Sequence, residues 1–132
     1  MNMTSTVFSG ERVFKLWEYQ VSHGQLLVRS PKCPATHGVR EQVTNIDFVC
    51  LGVEYLALPR ILRGLEITLP TDEELTQIEI FVGKRVEPNE VRVLQSGGNR
   101  FSVVASSFSL SENGWDIFES PFEFRSQFRG NP

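Results

Sequence analysis

The chain has little of what marks an exported or membrane-bound protein. It carries two cysteines in 132 residues, too few for a disulfide framework in a chain already long enough to bury a core. No window approaches the ~20 consecutive apolar residues of a membrane helix. Residues 1–10 lack a basic cluster followed by an apolar run, so no secretory leader is read there. A cytoplasmic protein with free thiols is expected. Positive charge is also scarce: 13 Lys and Arg stand against 16 Asp and Glu, for a net charge of −3. That balance lacks the basic footprint that attracts phosphate backbones, which argues against nucleic-acid binding. With only two histidines, His23 and His37, a zinc site would need Cys33, His37 and a distant third ligand, so no metal is expected. No glycine-rich loop follows a strand and opens a helix, since residues 96–98 lead into a strand instead. Without that phosphate cradle no cofactor is expected.

What is present is an ordinary globular composition, 40% hydrophobic and 22% charged, and one domain of this length buries roughly two thirds of its unfolded surface. The ten phenylalanines are the excess, suited equally to a core and to a binding surface. The pattern predicts an α+β fold: a mainly antiparallel sheet of about six to seven strands, one packed helix over 71–83, and a short helical turn over 59–63. Both ends, 1–10 and 125–132, are expected to fray.

Thr71 and Glu74 form a capping box, Asp72 and Glu73 complement the helix dipole, and Gly83 stands where a helix would stop. These caps outweigh the strand-like run 77–82, and they assign the acidic first turn to helix chemistry rather than to a cation. Strand-formers over 13–21, with Lys15, Trp17, Tyr19 and Val21 on one face, join residues 25–29 in a hairpin through Gly24. Residues 45–53 are apolar on both faces, as a central strand should be. A three-residue loop near 96–99 is favoured because it sets Val93 opposite Phe101, and a bulge is expected at Ser106 and Ser107.

Candidate chemistry is sparse. His23, at a hairpin tip, is suited to general-base work, although a turn residue explains it more simply. Asp47 interrupts an apolar strand, so it needs donors or a paired cation, and Arg60 or Arg63 are the partners considered. Glu54, seven positions on, falls on the opposite face, which makes a carboxylate pair unlikely without a bulge. Cys50 fits a small core residue. Trp17, Tyr19, Trp115 and Phe118 would serve as a recognition surface, but strands favour aromatics and the core of one sheet face is preferred. Residues 115–124 alternate apolar and acidic side chains, a composition that pairs with a sheet edge in its own fold or in a second copy. A non-enzymatic binding or protein-interaction domain is therefore expected, ahead of a small enzyme using His23 and Asp47 and of a structural subunit.

Overall fold

The computed structural model describes residues 6–35 and 40–122. Its elements are β1 (Thr6–Gln20), β2 (Gln25–Ser30), β3 (Asn45–Leu51), β4 (Tyr55–Ala57), β5 (Ile61–Thr68), α1 (Asp72–Val82), β6 (Val91–Ser96), β7 (Asn99–Val104) and β8 (Ser107–Asn113), with 3-10 turns at Val21–His23 and Pro88–Glu90. The α+β class, the antiparallel pairing and the single packed helix are as expected, with eight strands rather than six or seven.

The strand order is β4-β7-β6-β5-β1-β2-β3-β8, and its two ends meet. β3 pairs with β8 and β4 pairs with β7, while only residues 52–54 separate β3 from β4 and residues 105–106 separate β7 from β8. Both runs turn one corner together, bridged by Glu54 N–H to Val104 O at 2.8 Å and Ser106 N–H to Leu51 O at 2.9 Å. The sheet thus closes into a barrel whose staves are β1, β2, β3–β4, β5, β6 and β7–β8. Closure removes most of the open edge that antiparallel sheets must otherwise protect. At the corner Gly52 has φ 68°, and a Cβ there would lie 2.5 Å from Ser106 Oγ and 2.9 Å from its Cβ. Only glycine fits both demands.

Side chains from every stave fill the interior, among them Phe14, Leu26, Val28, Phe48, Cys50, Leu62, Ile67, Leu94 and Val103, with Phe108 stacked on Phe48. Helix α1 packs on the outside, where Ile78 meets Val86, Val91 and Val104. Its ends follow the sequence: Thr71 accepts from Glu74 N–H, the Glu74 carboxylate accepts from Thr71 N–H, and Gly83 closes the helix in the left-handed region with its N–H on Glu79 O. Phe81 lies off the packed side formed by Leu75, Ile78 and Val82. It is 63% exposed and stacks on Tyr55 at 6.2 Å.

Four local expectations fail for tertiary reasons. Residues 59–63 form no helical turn, because β5 starts at Ile61 and places Leu62 in the barrel, 1% exposed. Burying a leucine is worth roughly 1.5–3 kcal/mol, more than one helical turn's local preference. Gly64, which follows the expected turn in the position of a helix cap, sits instead at a bulge, where Gly10 pairs with Leu65 and Val13 with Arg63, leaving Glu11 and Arg12 opposite one residue. The hairpin at 96–99 has a two-residue loop, pairing Ser96 with Asn99 and Arg92 with Val103. Gly97 and Gly98 both take positive φ, 60° and 82°, the signature of the turn that matches strand twist. Apolar alignment misled there because the barrel covers both faces of β6, Val91 under the helix and Leu94 inside. At Ser106 the chain makes the barrel corner, passing from β6's neighbour β7 to β3's neighbour β8, rather than a bulge within one ladder.

The expected face of Lys15, Trp17, Tyr19 and Val21 is also broken. The β1–β2 register shifts between Leu16 and Glu18, with Trp17 as the extra residue, and Val21 lies 81% exposed in the turn. Residues 6–10, expected to fray, belong to β1, whereas 1–5 and 125–132 lie outside the described residues.

Candidate functional site

The proposed acid–base residues are separated by the fold and occupied by other partners. His23 is exposed at the β1–β2 tip, with Ser22 Oγ 2.9 Å from its Nδ1. Glu54 lies beyond the barrel corner and accepts from Lys84 Nζ at 2.8 Å. Asp47 points out from the wall of β3, and its partner is neither Arg60 nor Arg63 but Arg29, directly opposite on β2. Arg29 Nε donates to Asp47 Oδ1 at 2.7 Å and Nη2 to Oδ2 at 2.9 Å. Both side chains are essentially sealed, 0% and 1% exposed. His37 lies outside the described residues, and among the described residues no three of His, Cys, Asp and Glu gather to hold a metal.

A strap formed by the chain after β8 covers this ion pair. Arg29 Nη1 donates to Ile117 O at 2.8 Å, and Asn113 Nδ2 donates to Asp47 Oδ2 at 2.9 Å. Asn45, also buried, donates from Nδ2 to Asn113 Oδ1 and to Trp115 O. Each polar atom of a low-dielectric network therefore has a partner, which is the condition for burying a charge at tolerable cost. Of residues 115–124, expected to pair with a sheet edge, 115–122 lie across the wall without joining a ladder, and 123–124 lie outside the described residues. The four candidate aromatics lie outside the core: Trp17 lies over the Arg29 guanidinium at 5.8 Å, Trp115 and Phe118 belong to the strap, and Tyr19, Trp115 and Phe118 are 39%, 40% and 75% exposed.

Cys50 faces the barrel interior, as expected of a small core residue. Burial pushes its thiol up to about 12, partly offset by the Arg92 guanidinium. In the unfolded chain the thiol ionises near 9, so stability is intact below that pH and is lost as the pH rises toward 12. Cys33 is half-buried at the surface. A thiol reagent at neutral pH should label Cys33 promptly and Cys50 only on unfolding, and two fast thiols would contradict this packing.

A different part of the wall forms a concave site. Where β1 and β5 run side by side, a groove of about 650 Å³ is lined by Arg12, Val13, Lys15, Cys33, Ile61 and Arg63, with Glu11 as its one acidic residue. It adjoins a smaller hollow of about 340 Å³ that shares Lys15 and Ile61 and adds Trp17 and Arg60. Two features of the sequence shape it. The bulge opposite Gly64 swings Arg12 toward the loop after β2, where its guanidinium donates to Ser30 Oγ, Ser30 O and Thr44 O. A pair of backbone hydrogen bonds between Cys33 and Gln42, each 2.9 Å, ties that loop against the groove. Arg29, Lys84, Arg85 and Arg100 each have a carboxylate partner. Arg12, Lys15, Arg60 and Arg63 have none among the described residues.

The groove escapes a residue-by-residue reading because its cations come from two strands 45 or more positions apart in the chain, at 12–15 and 60–63. The signal that was available is the interruption of two apolar runs by Lys15 and Arg63. No protein family, curated protein or solved structure matches this chain.

Proposed function

We propose that this chain is a non-enzymatic protein-interaction domain whose recognition site is the basic groove on the β1–β5 wall. The observation that carries the reading is the set of four cations, Arg12, Lys15, Arg60 and Arg63, gathered without carboxylate partners among the described residues on a protein of net charge −3. Concentrated charge of the minority sign in a concave, partly apolar site is what a complementary partner recognises and what speeds its encounter. The state of Asp47 and Glu54, each held by a cation, favours binding over acid–base catalysis, because a general base needs a free lone pair within reach of substrate. Among the described residues no helix is long and apolar enough to cross a membrane.

The test is affinity capture from the native cell with the wild-type chain and with a Lys15→Glu/Arg63→Glu variant. Both side chains are exposed, so the fold should survive the change. A partner protein held by the wild type and lost by the variant supports the reading. Identical capture by the two forms overturns it.

A further inference from the structure

Resting on the reading of the groove as a protein-interaction site, we propose that its occupant is an extended acidic segment of another protein, with carboxylate and apolar side chains interleaved. The β1–β5 register sets Val13 opposite Arg63 and Lys15 opposite Ile61, so apolar and cationic positions form a checkerboard. Val13 is 37% exposed and Ile61 half-buried, which leaves both as an apolar floor between the charges. Successive outward positions on one strand are about 7 Å apart, the same spacing as side chains two residues apart in an extended peptide. A segment that offers an apolar group to Val13 therefore brings its next side chain on that face to Lys15. In the adjoining column the order is reversed, an acid meeting Arg63 before an apolar group meets Ile61. From Glu11 to Trp17 the site runs about 20 Å, room for a short extended segment. Salt-assisted pairing with Lys15, Arg60 and Arg63 supplies orientation, and the floor supplies burial.

Other polyanions fit less well. A phosphate backbone is charged at every unit and gains nothing from Val13 or Ile61, while the surplus of 16 acidic over 13 basic residues repels its continuation beyond the groove. A planar anionic membrane cannot follow a concave surface.

The experiment measures fluorescence anisotropy of a labelled synthetic peptide alternating aspartate and leucine. Saturable binding that weakens with added salt is expected. Lys15→Glu/Arg63→Glu should weaken it by about tenfold or more, as should Val13→Asp, whereas Arg85→Glu, whose side chain is 85% exposed and pairs with Glu87, should leave it unchanged. Lys15→Gln/Arg63→Gln serves as the milder variant if charge reversal perturbs the fold, and should also weaken binding. The proposal is overturned by absent binding, by equal binding of the lysine–leucine counterpart, or by indifference to the groove variants. Tighter groove-dependent binding of oligothymidylate or of anionic lipid vesicles would also overturn it. If the peptide fails while groove-dependent capture of a protein partner persists, only the acidic ligand class falls. If that capture fails too, the interaction-domain reading falls with it.

Discussion

Replacing Asp47 with alanine should destabilise the protein by about 3–5 kcal/mol, lowering the midpoint of thermal unfolding by about 10 to 20 °C. The carboxylate is 1% exposed and bidentate with an Arg29 side chain that is wholly buried. Its removal strands a guanidinium in the protein wall, and the Asn113 amide loses an acceptor at the same time. Arg29→Met should be comparably costly, since it leaves the carboxylate unpaired and the Ile117 carbonyl without its donor. The double variant Arg29→Met/Asp47→Leu is the informative comparison. Removing both charges eliminates their desolvation penalty, so the double variant should lose less than Asp47→Ala alone, about 1–2 kcal/mol from the orphaned strap groups. Chemical denaturation of all three reports the coupling directly. A loss below about 1 kcal/mol for Asp47→Ala would show that the wall is wetter than its burial implies.

Closure of the barrel makes a second strong demand, at Gly52. Gly52→Ala should destabilise by about 3 kcal/mol, from two sources of similar size. Holding a side-chain-bearing residue at φ 68° costs roughly 1–2 kcal/mol. The new methyl would also lie 2.9 Å from Ser106 Cβ, and crowding of that kind typically costs 1–3 kcal/mol. Ser106→Gly removes the second source and leaves the first. Gly52→Ala/Ser106→Gly should therefore regain about half of the loss, measured as an upward shift in denaturant midpoint relative to Gly52→Ala. If the second substitution gives no recovery, the penalty lies in the backbone alone and the corner is looser than described.

The parts of this fold that were readable in advance are those whose causes are local. The helix ends are specified by Thr71, Glu74 and Gly83 within one turn of where they act, and all three behave as their chemistry dictates. The β1–β2 hairpin, with Gly24 in the left-handed region, is likewise local. Gly64 shows the limit. The same residue type that ends a helix also opens a bulge, and only the opposing Glu11 and Arg12, contributed from another strand, decide between them. The hairpin at Gly97 and Gly98 failed for a related reason, because alignment of apolar residues carries register information only where one face is wet.

A carboxylate interrupting the apolar run at 45–53 signals that Asp47 needs a partner, but that this partner is Arg29 follows only from a β2–β3 register that the sequence does not display. The groove lies further from view. Its residues are unremarkable individually, and their meaning arises from β1 and β5 being neighbours in the barrel although they are not consecutive in the chain. The aromatics illustrate a third case. Strand propensity places Trp17 and Tyr19 in β1, yet a single extra residue at Trp17 changes which way the following side chains face.

The strap that seals Arg29 also sets an order of events during synthesis. The guanidinium's last acceptor, Ile117 O, is encoded 88 residues after it. At ordinary elongation rates the two are separated by about 4 to 18 s of translation. Until then the emerging chain holds the cation of β2 without the ceiling that makes its burial tolerable. Asn113, which joins Asp47 to the strap, arrives in the same late portion. Side chains that are sealed in the finished molecule must therefore remain hydrated until the strap has been made, and the dehydration of this wall follows synthesis of Asn113 and Ile117.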